Sequence, residues 1–225
     1  IIRVFRYNRD LLFSYHCYYG VFMGLKKIGM LMLAALSLSQ TAVANEVPAQ
    51  FSTVGLNAPK SQDVNGFRFS LFHGQTEKVQ GFDMAVLGLS EVDKLEGISF
   101  NLLLGASKVN KEFSGASFGL LNWHLGQDTG FNMALVNNTS HVKGVNLAMV
   151  NLSKTVAGAN IGLVNYSDRL SLVDFGVINY AKTAKFQFGL FNVTENLQGL
   201  QIGLLNYAEN GVVKILPLIN FQHSF

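Results

Sequence analysis

A fourteen-residue repeat built around asparagine limits what this chain can fold into. The Asn recurs at spacings of 15, 14, 14, 14, 13, 14 and 14 residues. One unit, which starts at Gly158, reads GANIGLVNYSDRLS, and eleven units can be counted from Gly66 onwards, the earliest being looser copies. A unit this short cannot bury its own apolar side chains, so neighbouring units must pack against one another. The repeated residues are Asn122, Asn137, Asn151, Asn165, Asn179, Asn192, Asn206 and Asn220.

Apolar and polar residues alternate strictly within a unit. After Gly158, one face carries Ile161 and Leu163, and the other carries Asn160 and Gly162. Alternation with a period of two over 8–11 residues is typical of a β-strand that has one apolar and one polar face. Each unit therefore predicts one strand.

Charged residues cluster two to four positions after each repeated Asn, as at Lys154 and Asp168. Such clusters are typical of turns between strands. The segments TEN (194–196) and AENG (208–211) also have the composition of hairpin turns. The sequence thus predicts short connections after each Asn.

Two architectures accept a repeat of this kind. In an antiparallel up-and-down meander, Ile161 would face Phe175 on the apolar face, and on the other face Asn160 would face Gly176, which matches a polar residue with a small one. In a parallel β-solenoid, each unit is one 14-residue coil and the Asn side chains form a buried ladder. We favour the meander because the residues after each Asn offer few apolar side chains for a return strand. The irregular spacings suit a solenoid better, and it stays open as the alternative.

An open meander of about 11–12 strands would expose its apolar face and two long edges. Closure into a β-barrel with that face outward would place it in lipid and would place the polar face in a lumen, as in outer-membrane barrels. The C-terminal Phe225 agrees with such a barrel. We therefore expect an antiparallel barrel with bacterial outer-membrane lipid as its partner. Its lumen-lining polar residues would be Arg68, Asp83, Asn132, Asn146, Asn160, Asp174, Gln187 and Gln201.

The N-terminal region has the pattern of an export signal. Residues 23–44 combine Lys26 and Lys27, a short apolar run and a small-x-small site that ends at Ala44, which predicts a signal peptide. Residues 1–22 then read as upstream translation. Residues 45–65 form an N-terminal segment with one possible strand at 49–57, and residues 66–225 form the β-repeat domain. These features predict an exported protein at the outer membrane or cell surface.

The charge of the exported part differs from that of the whole chain. The full sequence has a net charge of +3, but residues 45–225 carry 12 basic and 13 acidic residues and no Cys, because Cys17 lies upstream. A charge of about −1 does not favour nucleic acid as a partner.

The sequence contains no P-loop and no H-E-x-x-H motif. His73, His124, His141 and His223 lack the spacing of metal ligands. We therefore expect no catalytic residue, no metal and no cofactor. An envelope hydrolase that uses Asp83 or Asp174 is a minor alternative.

The segment GLQIGLLNYAENG (199–211), followed by PLINF (217–221), resembles the bacterial surface-repeat proteins, whose units read G-x-Q/N-h-G-h-h-N-h-A, where h is hydrophobic. The resemblance covers residues 115–221 well and residues 66–105 poorly, since Gly88 and Gly105 replace the Asn there. It implies an exported, surface-associated protein without an established chemistry. We expect a non-enzymatic envelope protein with a structural or solute-passage role. The alternative is a surface-exposed solenoid for binding or adhesion.

Overall fold

A computed structural model describes residues 46–222. The predicted upstream translation (1–22), the predicted signal peptide (23–44), His223 and Phe225 lie outside the described residues. No helix in the described part is long and apolar enough to cross a membrane. The strands are β1 (Glu46–Thr53), β2 (Leu56–Ala58), β3 (Asp63–Ser70), β4 (His73–Ala85), β5 (Leu89–Asn101), β6 (Ala106–Phe118), β7 (Leu121–Phe175), β8 (Ile178–Phe188), β9 (Phe191–Ala208) and β10 (Ile215–Phe221).

The strands form a parallel β-solenoid of about ten coils. Their order is β10-β9-β8-β7-β6-β5-β4-β3-β1-β2, and each pair between β1 and β9 in this order is parallel. Only the two ends differ, since β2 pairs with β1 and β10 pairs with β9 in antiparallel fashion. The antiparallel strands thus close the first and last coils.

Equivalent residues of successive units stack on one another. Between β7 and β8, Asn165 pairs with Asn179 and Tyr166 pairs with Tyr180. The 55-residue β7 contains several successive coils, because the side chains of Asn151 and Asn165 within it are hydrogen-bonded at 2.9 Å. One repeat unit is therefore one coil.

The predicted antiparallel β-barrel is wrong, and the parallel solenoid alternative is the fold observed. Phe175, predicted to face Ile161, instead pairs with Phe188 in the next coil. Only in-register parallel stacking allows hydrogen bonds between identical amides. These bonds stabilise the sheet more than the complementary side-chain volumes of an antiparallel pair would. The expectation of an outer-membrane protein followed from barrel closure, and it loses its structural basis with it.

The turn predictions failed for a related reason. Lys154 and Asp168 lie within β7, and TEN lies within β9, so the chain stays extended through these segments. Inward-pointing hydroxyl residues fill the return strand that seemed to lack apolar residues, as where Thr139 and Ser153 hydrogen-bond at 2.9 Å. Of these segments, only AENG forms the predicted turn, since it begins the antiparallel connection from β9 to β10.

The interior changes character along the solenoid. In the N-terminal coils, Val64, Val79, Leu95 and Phe113 stack in register and are fully buried. In the C-terminal coils, most of the buried side chains are amides, hydroxyls and alanines. The N-terminal units, whose spacing is irregular, thus hold an apolar core, and the regular units hold a polar one.

Glycine is required where the coils approach most closely at the start of the units from Gly66 to Gly158. At Gly130, φ is 150°, and a Cβ would overlap the carbonyl oxygen of Gly115 in the preceding coil. A Cβ at Gly55, where φ is 76°, would meet no atom within 4 Å.

We expect Gly130→Ala to lower the free energy of unfolding by at least about 3 kcal/mol, because a main-chain atom cannot move aside. Gly55→Ala is the matched control, with only about 1–2 kcal/mol of backbone strain. Guanidinium unfolding would measure both, and equal losses would contradict close packing at the start of the coil.

Candidate functional site

Two ladders of buried amide side chains run through the solenoid. The first, the corner ladder, contains the repeated Asn residues up to Asn206 and also Asn101. Each amide nitrogen donates to the side-chain oxygen of the next Asn, from 3.3 Å between Asn101 and Asn122 to 2.8 Å between Asn192 and Asn206. The donors run in one direction, from the N-terminal towards the C-terminal coils.

The corner ladder also bonds main-chain carbonyls. Asn151 donates to the carbonyl of Ile161 at 3.0 Å, and Asn165 donates to that of Phe175 at 2.9 Å. These carbonyls lie near the bend around Gly162 and Gly176. The ladder therefore satisfies buried acceptors at the corner of each coil, where an unpaired group would be destabilising.

The second ladder, the inner ladder, contains most of the residues predicted to line a barrel lumen. It comprises Asn132, Asn146, Asn160, Asp174, Gln187, Gln201 and Asn220. All of them are buried in the solenoid interior rather than in a lumen. Asn220 belongs here and not to the corner ladder, because it lies in β10 and donates to Gln201 at 3.2 Å.

Two series of side-chain hydrogen bonds in the inner ladder, one from each side, end at Asp174. Asn160 donates to its Oδ1 at 3.0 Å from one side, and Gln187 donates to its Oδ2 at 3.3 Å from the other. Ser171 adds a third hydrogen bond at 2.6 Å. A carboxylate accepts only, so it suits this position. Burial raises the pKa of Asp174, and the three hydrogen bonds oppose that shift.

Arg68 and Asp83 form a buried ion pair at the N-terminal end of the solenoid. Arg68 Nη1 lies 3.3 Å from Asp83 Oδ1, and Ser90 donates to Asp83 Oδ2 at 2.6 Å. Both charged side chains are completely buried. This pair occupies the inner-ladder position of its coils, and Ser99 and Ser117 separate it from the first amide of the column, Asn132.

A buried His–Asp pair was not predicted from the sequence. His124 Nδ1 lies 2.6 Å from Asp128 Oδ2, Asn132 donates to the same oxygen at 2.7 Å, and the Phe113 ring lies 4.4 Å from the imidazole. Asp128 occupies the column of Phe113, where the other coils place apolar or small residues. The only sequence sign was a His followed four residues later by an Asp.

The structure separates the two carboxyl groups on which the hydrolase alternative depends. Asp83 and Asp174 share one column but lie six coils apart, or roughly 29 Å at about 4.8 Å per coil. Both carboxyl groups are buried. Among residues 46–222, no group of three His, Cys, Asp or Glu residues could hold a metal ion.

The outside of the solenoid carries a continuous apolar surface, here called the apolar band. It consists of the residues one, three and five positions after the start of each of the ten units from Gly66 to Gly199. All 30 positions are apolar and none is buried. Met133, Leu135 and Leu163 are 47%, 49% and 50% exposed. A surface of roughly 43 by 20 Å exceeds the few hundred Å² usual for a monomer.

Charged residues that lie ten or eleven positions after the start of several units pair from coil to coil. Lys108 lies 2.8 Å from Glu91, and Lys182 lies 3.5 Å from Asp168. Hydrogen bonds from Lys108 and Asn110 lower the pKa of Glu91. The surface that these residues form, here called the charged face, mixes both signs.

No protein-family model, curated protein or solved structure matches the chain. The resemblance to the surface-repeat proteins therefore stays a prediction.

Asn137→Ala tests the corner ladder. It should lower the free energy of unfolding by about 2–4 kcal/mol, because it leaves Asn122 without an acceptor and Asn151 without a donor. The neighbouring Asn138 is exposed, so Asn138→Ala should change stability by no more than about 0.5 kcal/mol. Thermal and guanidinium unfolding would compare the two, and similar losses would contradict a stabilising ladder.

Asp174→Asn tests how the Asp174 carboxyl group makes the free energy of unfolding depend on pH. Since burial raises the pKa of Asp174 in the folded state, its protonated form stabilises the fold below about pH 4, and that contribution is lost as the pH rises through the higher folded-state pKa. The unfolding free energy of Asp174→Asn minus that of the wild type should therefore increase from pH 4 to neutral pH. Denaturant titrations across this range would measure it, and a flat or falling difference would contradict the shift.

Proposed function

We propose that this chain is a non-enzymatic, exported surface module that docks onto a partner through its apolar band. The observation that carries the proposal is the band itself: 30 apolar positions in ten coils, without one charged residue and without one buried residue. Contiguous exposed apolar surfaces of this size mark interaction sites.

The two sides of the solenoid support a division of roles. The band places large side chains outward while other residues fill the interior, apolar in the N-terminal coils and mostly polar in the C-terminal coils, so the core does not include the band residues. The charged face provides a hydrated side with paired charges. A rod with one apolar and one charged side is suited to lie against a partner. The resemblance to surface-repeat proteins and the predicted signal peptide favour the cell surface as its place.

Cysteine accessibility on intact bacterial cells tests this proposal. In a background with Cys17→Ser, Leu163→Cys places a thiol in the band, and Lys182→Cys places a matched thiol on the charged face, where Lys182 is also half exposed. A membrane-impermeant maleimide should label Lys182→Cys readily and Leu163→Cys at least about tenfold more slowly, because a docked partner excludes water and reagent.

The outcomes separate the two parts of the proposal. Labelling of neither thiol on cells, with labelling of both after lysis, would contradict the surface location. Equal labelling of both thiols on cells would contradict docking through the band. Purified, dilute and unfolded protein serves as the control for intrinsic thiol reactivity.

A further inference from the structure

We propose that the partner of the apolar band is a second copy of this chain, which covers the band in a symmetric face-to-face dimer. This inference rests on the proposed function, because it names the occupant of the same surface. Its basis is the size of the band, the charges beside it and the regular stacking of its side chains.

The size of the band fits an interface between two copies. Nine steps between coils at about 4.8 Å and three outward residues per coil give a surface on the order of 800 Å². That is the area which each partner buries in a standard stable protein interface. An identical copy has a band of equal length and width, so each would cover the other.

The charges beside the band favour a second copy over a lipid surface. An apolar protein face that lies on an anionic bilayer usually has a border rich in Lys and Arg. Of the twenty positions at or directly before the starts of the ten units, which border the band, two are Lys (Lys143 and Lys185) and one is Glu (Glu96). Residues 45–225 have a net charge of about −1. This border is not the Lys- and Arg-rich one that anionic headgroups favour.

The side chains of the band form straight rows. Phe67 and Phe82 stack with ring centroids 5.5 Å apart, and Phe175 and Phe188 stack at 4.7 Å. The main-chain groups beneath them are paired between coils, so the face can lose water without leaving polar groups unpaired. Rows at a constant spacing fit between the rows of an identical sheet, and two such sheets pack about 10 Å apart.

The two-fold axis of such a dimer lies in the interface and passes through the centre of the band. Met133 is in the middle row and near the middle coil, so it would lie close to its own symmetry mate whichever way the two rods are oriented. It is 47% exposed in the single chain and is no part of either ladder. Substitution there should therefore affect association and leave the fold intact.

Sedimentation of the full chain over about 0.1–50 μM tests the proposal. We expect a dimer with a dissociation constant below about 1 μM. Met133→Glu and Met133→Lys should each raise that constant at least about 100-fold, because like charges would face each other in a dry interface. An equimolar mixture of the two variants should restore a dimer, since Glu would then face Lys. Lys182→Glu on the charged face is the control and should leave the dimer unchanged.

Circular dichroism establishes that each variant is folded before association is measured. A wild-type chain that stays monomeric throughout, or a mixture that stays monomeric, overturns the dimer. Flotation with vesicles of neutral lipid and with vesicles that contain anionic lipid then tests whether lipid is the partner instead. Lipid is the partner if the wild type binds the vesicles and Met133→Glu abolishes that binding. In that case the proposed function stands, provided that Leu163→Cys is protected on cells. Free labelling of Leu163→Cys would contradict the proposed function as well.

Discussion

The fold depends on hydrogen bonds between identical amides one coil apart. A buried Asn is satisfied only if its nitrogen finds an acceptor and its oxygen finds a donor. Stacked in register, Asn151, Asn165 and Asn179 each supply what the neighbour lacks, at 2.9 and 2.8 Å. Any slip of one residue would place an apolar side chain in the ladder and leave two amides unpaired in a site of low dielectric. The ladder therefore fixes the register between successive coils far more strictly than apolar packing would.

A polar interior has a consequence for the exterior. In the C-terminal coils the inside is filled by amides, hydroxyls and small residues, as at Asn160 and Ser167. The large apolar side chains of each unit lie on the outside, where stacking between coils covers part of each one. Half of the surface of Leu163 stays exposed. In an ordinary domain such residues would be the core, whereas here main-chain and amide hydrogen bonds hold the interior of these coils together.

The sequence specified the unit and the side on which each residue lies more clearly than the direction of pairing. Period-two alternation placed Asn160 and Ile161 on opposite sides, and the structure agrees, with Asn160 buried and Ile161 exposed. Alternation is the same in parallel and antiparallel sheets, however, so it carries no information on direction. The repeated Asn did carry that information, because a buried amide at a fixed spacing has partners only in register. The local charge clusters were read as turns although their side chains simply point outward from a continuous strand.

The two kinds of repeated position differ in what they tolerate within this one chain. All corner-ladder positions are Asn, whereas the inner ladder has Asn at four of its seven positions, with Asp174 where donors converge and Gln187 and Gln201 after it. The side-chain volume at band positions varies from that of Ala159 to that of Phe131, but every one of these side chains is apolar. A core packed at crystal-like density would not accept such variation in volume from one unit to the next. A surface that loses its water against a broad, flat partner tolerates this variation in volume, because the transfer free energy depends on apolar area more than on the shape of each side chain. The variation across units is therefore itself an argument that the band is a docking face and that the ladder holds the fold together.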